Sequence, residues 1–102
     1  MAKDRLDLQA LFESLIGSRN VYFQPPASVR MNYPCIRYNL AIIDNMPADN
    51  TRYLQGTAYN VIYITYNPDD AMIKILSQLP MSKFDRWYAA DNLNHYVYTI
   101  FY

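Results

Sequence analysis

The sequence predicts an α+β domain in two layers, a mostly antiparallel β-sheet with two helices packed on one of its faces. Two stretches carry apolar residues at helical spacing, and several shorter ones alternate apolar and polar residues as strands do. Each helix has a single apolar stripe, which a sheet can cover. The length of 102 residues fits a single domain over 1–102.

The first helix is expected over residues 4–16, and Gly17 supplies its end. Its apolar stripe contains Leu8, Leu11, Phe12, Leu15 and Ile16. The polar side would leave Lys3, Arg5, Gln9 and Glu13 in water. A short strand is expected at 21–24, and the prolines at 25 and 26 confine it to a sheet edge or to a few residues.

Two longer strands are predicted at 35–42 and 57–66. In the first, Ile36, Tyr38, Leu40 and Ile42 alternate with Cys35, Arg37, Asn39 and Ala41. In the second, Tyr59, Val61, Tyr63 and Thr65 share one face. This second strand has the strongest pattern and is expected in the middle of the sheet. Residues 44–53, between these two strands, show neither the helical nor the strand spacing of apolar residues and predict a long loop. This loop is either a projecting arm that contacts a neighbouring molecule or a plain connection.

The second helix is expected over 68–79, because Asn67 can cap it, Pro68 fits its first position and the next two carboxylates favour its positive end. Its buried stripe would contain Ala71, Met72, Ile75, Leu76 and Leu79. A hairpin is then expected over 83–102, with a polar turn at 91–94. Both faces of its closing strand are apolar, so we expect the helices on one side and a partner over part of the other.

Composition limits the classes of function. Nine basic and nine acidic side chains cancel, so the chain lacks the charge that drives non-specific nucleic-acid binding. Eleven tyrosines are typical of surfaces where rings are half-buried and hydroxyls stay wet. The sheet face opposite the helices, carrying Arg37, Asn39, Tyr59 and Tyr63, is expected to have no cover from this chain. The first residues predict no signal peptide, and no segment is long enough to span a bilayer.

Candidate catalytic or metal chemistry is weak. Cys35, His95 and an aspartate at 85 or 91 are the residue types of a thiol-nucleophile triad, and His95 with Asp91 could also be two metal ligands. No local motif supports either site. Cys35 fits the role of a small hydrophobic residue in a strand. His95 fits a residue at the start of a strand that is hydrogen-bonded to its turn, and Asp69-Asp70 fits a helix cap. We therefore expect no catalytic residue, no metal ion and no cofactor.

Four stretches resemble a family of small proteins from tailed bacteriophages, found among the head-tail connection and tail-completion genes. They are MNYPCIRY (31–38), LPMSKFDR (79–86), DNLNH (91–95) and YVYTIFY (96–102). The order of elements is also similar to the tail-terminator and tail-completion fold, in which a sheet with helices on one side assembles as a ring, commonly of six. Such rings cap the tail tube and join it to the head.

The resemblance implies a structural virion protein at the head-tail junction, without enzymatic activity, made in the host cytoplasm. Its partners would be other copies of itself, with six expected in a ring, together with the tail tube protein and the neck or connector proteins. It implies no membrane partner and no direct sequence-specific binding of nucleic acid. Candidate interface residues are Arg37, Asn39, Met46, Asp49, Arg52, Tyr59, Tyr63, Asp85, Arg86, Trp87, Tyr98 and Tyr102.

Three alternatives remain open from the sequence. A neck adaptor or stopper, or another minor virion protein of the connector, has a related size and position. A small module could use a tyrosine-rich face to bind a peptide or single-stranded nucleic acid. A small hydrolase would need a nucleophile and a base arranged around Cys35.

Overall fold

The computed structural model describes residues 5–44, 56–80 and 82–101, which contain two helices and five strands. In chain order these elements are α1 (Arg5–Ile16), β1 (Val21–Phe23), β2 (Cys35–Asp44), β3 (Gly56–Thr65), α2 (Ala71–Ser77), β4 (Ser82–Ala90) and β5 (Leu93–Phe101). The α+β class is confirmed. The loop expected over 44–53 lies outside the described residues, except for Asp44 at the end of β2.

The five strands form one sheet in the order β1-β2-β3-β5-β4. β1 pairs with β2 in parallel, and the other three pairs are antiparallel. As predicted, β3 lies in the middle and the short β1 lies at an edge. The predicted hairpin is formed by β4 and β5, and β5 lies inside the sheet while β4 forms the second edge.

Both helices pack on the same face of the sheet, which we call the helix-covered face. Leu8 and Phe12 of α1, with Met72 and Leu76 of α2, are buried against it. The sheet residues of this core are Val21, Ile36, Tyr38, Tyr59, Val61, Tyr63, Tyr96, Tyr98 and Ile100. Burial of these side chains removes their apolar surface from water and is the main source of the domain's stability.

The expected placement of the tyrosines of β3 is wrong. Tyr63 lies opposite Ile36 in the ladder, whereas Arg37 lies opposite Ile62. Directly opposite residues point to the same face, so Tyr63 and Tyr59 belong to the helix-covered face and Arg37 to the other one. The rings can be buried because their hydroxyls find partners inside the chain, as when the Tyr63 hydroxyl donates to the Asp70 carboxylate over 2.6 Å.

The opposite side of the sheet, called here the second face, is partly covered by the chain itself. Met31 and Tyr33, from the connection between β1 and β2, pack against a small buried cluster of Cys35, Ile64 and Leu93. The expectation of a face without any cover is therefore wrong at this end of the sheet. Other described residues of the second face are Arg37, Asn39, Asn60, Ile62, Lys83, Asp85, Arg86, Tyr88, His95, Val97 and Thr99.

The polar side of α1 is also less exposed than expected. The Arg5 guanidinium lies 4.3 Å from the centre of the Phe23 ring and donates to the Tyr38 hydroxyl over 3.2 Å. That hydroxyl donates to Gln9 Oε1 over 2.6 Å, and Gln9 Nε2 donates to the Val21 carbonyl over 3.1 Å. Arg5 and Gln9 lie against the sheet because the hydroxyl of the buried Tyr38 needs hydrogen-bond partners.

The second helix begins later than predicted. Its N-cap is Asp70, whose side chain accepts from the Met72 amide, while Asn67 instead forms a turn by accepting from the Asp69 amide over 3.0 Å. Ile73 rather than Ile75 completes the buried stripe, and Ile75 is 38% exposed. Ala71, expected in the stripe, is exposed as well. The helix is thus rotated about its axis relative to the prediction.

The hairpin of β4 and β5 closes through a turn of two residues, Asp91 and Asn92. Both have positive φ, 53° and 62°, as a type I′ turn requires. Leu93 and Asn94, expected in the turn, already belong to β5. β5 is paired with β3 as far as Phe101, which lies opposite Ala58.

Candidate functional site

The free edge of β4 is the longer of the two edges of the described sheet. β5 lies on one side of β4, and no described strand lies on the other. The backbone groups on the outer side of such a strand are without ladder partners and can pair with another chain. Five consecutive side chains, 83–87, are exposed, including Phe84 at 46% and Trp87 at 53%.

A β-bulge changes the direction of the side chains at the centre of this edge. The ladder with β5 is regular up to Phe84 opposite Tyr98 and resumes at Arg86 opposite Val97, which leaves Asp85 as the extra residue. Arg86 therefore points to the second face with Val97. Asp85 points there too, because its Oδ2 accepts a hydrogen bond of 2.6 Å from the Thr99 hydroxyl.

The two aromatic residues of the edge, Phe84 and Trp87, lie on the helix-covered face. The Phe84 ring packs edge-on against Tyr98, with 5.5 Å between ring centres. Trp87 Nε1 donates to Asn94 Oδ1 over 3.2 Å, and Asn94 Nδ2 donates to the Tyr66 carbonyl over 3.4 Å. Both rings are therefore held by neighbours while about half of each stays open, which lowers the entropy lost when a partner binds.

The opposite edge of the sheet, formed by β1, is less available to a partner strand, and we call it the closed edge. β1 has only three residues, and the Val21 carbonyl is already occupied by Gln9 Nε2. Prolines at 25 and 26 follow the strand after Gln24 and cannot donate to a ladder. Of the two edges, only β4 offers a partner a strand of nine residues.

The candidate interface residues from the sequence do not form one surface. Asp85, Arg86 and Trp87 come together on β4, while Arg37 and Asn39 lie on β2, three strand spacings away, or about 14 Å. Tyr59, Tyr63 and Tyr98 are 6%, 1% and 0% exposed, so an external partner cannot reach their rings in this fold. Met46, Asp49, Arg52 and Tyr102 lie outside the described residues.

Sequence reasoning missed Lys83 and Phe84 as members of the edge. Both are exposed and stand directly beside the bulge. Three charged residues within one strand, Lys83, Asp85 and Arg86, were the available signal, because charged residues are depleted from strands that are covered on both sides.

The residues of the candidate thiol triad are not assembled. Cys35 is fully buried, and burial raises the pKa of its thiol to about 12. Cys35 and His95 lie opposite Ile64 on its two sides, so they are two strand spacings apart, about 10 Å. His95 stacks on Tyr88 with 4.7 Å between ring centres, and its Nδ1 lies 3.2 Å from the Leu93 carbonyl next to the turn. Within the described part of the chain, no three His, Cys, Asp or Glu residues form a metal-binding group.

We predict that the Cys35 thiol is unreactive in the folded protein at neutral pH. The thiolate is the reactive species, and a pKa of about 12 leaves very little of it. A chromogenic disulfide reagent should modify Cys35 at least about a hundredfold more slowly in buffer than in denaturant. Equal rates under both conditions would contradict the buried placement.

The Asp69-Asp70 pair belongs to the fold. Asp70 Oδ2 accepts from the Tyr63 hydroxyl over 2.6 Å and from the Thr65 hydroxyl over 3.1 Å, and its Oδ1 accepts from the Met72 amide over 3.0 Å. The predicted capping role is confirmed for Asp70. A pocket of about 420 Å³ beside this turn is lined by Pro68, Asp69, Asp70, Ala71, Ile73 and Lys74. Of the two carboxylates that line this pocket, that of Asp70 is already occupied by these contacts.

The fold and the site together define an α+β domain with one closed and one open sheet edge. No described helix has the length and hydrophobicity needed to cross a membrane. Comparisons with protein-family models, with curated proteins and with solved structures give no match for this chain.

Proposed function

We propose that this chain is a structural virion protein of a tailed bacteriophage, a tail terminator or tail-completion subunit. Copies of it assemble into a ring, with six as the expected number, at the junction between head and tail. The ring caps the tail tube and joins it to the neck. The function is one of assembly, and the chain's chemistry is that of protein-protein contact.

The observation that carries this proposal is the open edge of β4. Rigid exposed aromatic rings, neighbouring charges of both signs and an unpaired strand are the features that protein interfaces use. Three of the four stretches that resemble the phage family, residues 79–86, 91–95 and 96–102, lie mostly in the β4–β5 hairpin. The resemblance and the exposed edge therefore fall on the same part of the molecule.

The arrangement of the two layers also supports the proposal. The resemblance implies a sheet with helices on one side, and this chain has both helices on the helix-covered face. A ring needs head-to-tail contacts between two different surfaces of each subunit. The β4 edge would supply one of them, and the polar second face around Arg37 and Asn39 is available for the other.

The tyrosine-rich binding module is less well supported. Stacking on bases or on a peptide needs open rings, and the tyrosines at 59, 63 and 98 are buried in the core. A neck adaptor or stopper could use the same edge as a terminator, so these roles differ in the partner and not in the surface.

The test combines the purified chain with tail tubes isolated from the phage whose genome encodes it. We expect ring-shaped particles at one end of the tubes by electron microscopy and a discrete multiple of the 12.0 kDa chain mass by native mass spectrometry. Trp87→Ala should weaken tube binding by at least about tenfold, since buried tryptophans often dominate interfaces. Tyr66→Ala, another exposed aromatic outside β4, serves as the control. Rings that bind the head connector and not the tube would indicate an adaptor, and a chain that binds neither would refute the proposal.

A further inference from the structure

We propose that two copies of the free chain pair through their β4 strands, antiparallel and related by a two-fold axis, with Asp85 of each copy opposite Arg86 of the other. The sheet then continues across the contact to ten strands. This inference goes beyond the proposed function, because it concerns the chain before it enters a ring.

The order of side chains in β4 is self-complementary in this register. Asp85 meets Arg86 of the second copy, and the reverse contact repeats across the axis. One position further from the axis, Phe84 of one copy meets Trp87 of the other. At the next position Lys83 of one copy meets Tyr88 of the other. Each pair therefore joins opposite charges, two aromatic rings, or a cation and an aromatic ring, and each such pair stabilises neighbouring strands.

The bulge makes this register geometrically possible. In a two-fold antiparallel pair, residues opposite each other must point to the same face of the sheet. Neighbouring residues of a regular strand point to opposite faces, so Asp85 and Arg86 could not meet. Here both point to the second face, because Asp85 is bonded to Thr99 and Arg86 lies opposite Val97.

The outer pairs satisfy the same condition. Phe84 and Trp87 lie opposite Tyr98 and Tyr96, both of which belong to the helix-covered face. Lys83 and Tyr88 lie opposite Thr99 and His95, which belong to the second face. All three kinds of pair therefore have their two members on one face.

The charges at the centre of the edge are available for this contact. Neither Lys83 nor Arg86 forms an ion pair within the part of the chain that the structure describes. Asp85 uses Oδ2 for the Thr99 hydroxyl, and no described group donates a hydrogen bond to its Oδ1. The guanidinium of Arg86 from a second copy can donate to that oxygen without breaking a bond inside the chain.

A second copy fits the β4 edge better than other strands of this protein would. The β1 edge is only three residues long, and Gln9 occupies its Val21 carbonyl. A head-to-tail ring does not contain a two-fold axis at this edge, so the pair has to open when a ring closes. The pair is thus the form of the free chain, and ring assembly competes with it.

Charge reversal at the axis provides the test. Arg86→Asp and Asp85→Arg each place like charges opposite each other twice per pair, so each should raise the dissociation constant of the pair at least about tenfold. The double variant exchanges the two charges and should restore pairing. An equimolar mixture of the two single variants should also pair, because one strand then carries two positive charges and the other two negative ones. Arg30→Asp, the same charge change at an exposed residue outside the sheet, should leave pairing unchanged.

The measurements are sedimentation equilibrium and the fluorescence of Trp87, which is the single tryptophan of the chain. Pairing covers its ring, so emission should shift to shorter wavelength as the concentration of the free chain rises and the mass approaches twice 12.0 kDa. A free chain that stays monomeric, or single variants that do not pair when mixed, would overturn the proposal. Rings formed on tail tubes by a chain that stays monomeric in free solution would overturn the pair and leave the proposed function intact.

Discussion

Replacing Tyr98 with alanine is expected to lower the free energy of unfolding by about 3–5 kcal/mol, the range for a large aromatic side chain lost from a core. Tyr98 is fully buried on the internal strand β5. Its ring packs on Phe84, and its hydroxyl donates to the Ile73 carbonyl of α2 over 2.8 Å. The side chain thus joins the β4 edge, β5 and α2. The total free energy of unfolding of a small domain is only about 5–15 kcal/mol, so this substitution removes a large share of the stability.

The matched control is Tyr98→Phe, which keeps the ring and removes only the hydroxyl. It should cost about 1 kcal/mol, the usual net value of one hydrogen bond. Thermal unfolding followed by circular dichroism measures both, and the alanine variant should melt at least about 12 °C below the unmodified chain. Equal losses for the two variants would show that the hydroxyl, and not the packing of the ring, carries the effect.

Asp70→Ala should have the second largest effect, about 2–4 kcal/mol of unfolding free energy. The change removes the helix cap, which costs about 1 kcal/mol, and leaves the buried hydroxyl of Tyr63 without its acceptor, which costs about 1–3 kcal/mol more. Denaturant titration measures the loss. Asp69→Ala is the control, because its exposed carboxylate makes no hydrogen bond within the described part of the chain. Similar losses for both variants would contradict the assigned roles.

The contribution of Asp70 should depend on pH. Burial disfavours its charge, but hydrogen bonds from Tyr63, the Met72 amide and Thr65 outweigh burial and hold the pKa of Asp70 below its ordinary value. A depressed pKa gives stability that is fully present above the unfolded-state pKa, about 3.9, and is lost as pH falls through the folded-state pKa. The stability advantage over Asp70→Asn should therefore be constant near pH 7 and shrink below about pH 4. An advantage that does not change with pH would mean that the charge contributes nothing.

The positions of the elements could be read from the sequence because each depends on a local pattern. The alternation around Tyr59, Val61 and Tyr63 correctly predicts β3 and the set of residues on each of its faces. Residue spacing likewise locates α1, and Gly17, with φ of 75°, follows its last residue. These signals need no knowledge of what lies across the sheet.

Which face the helices cover could not be read in the same way. Both faces of β3 are apolar, with tyrosines on one side and Ile62 and Ile64 on the other. The predicted tyrosine face required hydroxyls that stay in water. They are instead satisfied by residues distant along the chain, for example Tyr38 by Gln9 and Tyr98 by Ile73. Such pairings exist only once the fold is formed.

The first residue of α2 and the location of the candidate site could not be predicted either, because both depend on tertiary contacts. Asn67 and Asp70 are both good caps, and Asp70 prevails because its carboxylate also accepts from Tyr63 and Thr65 of β3. Asp85, Arg86 and Trp87 were recognised as interface residues from their chemistry. The edge position of their strand follows from the strand order, which no local pattern specifies.

The difference in length between the two edge strands of the sheet affects the tendency of the protein to aggregate. A sheet with two open edges can add strands at both ends without limit, which is how fibrils grow. In the pair proposed above, the two long β4 edges face each other and disappear from the surface. Both outer ends of the joined sheet are then β1 strands of three residues, each followed by two prolines and with its Val21 carbonyl already bound to Gln9. The short β1 strands therefore stop the growth of the sheet in the proposed pair after two copies, which protects a chain rich in β-structure and tyrosine from adding further strands.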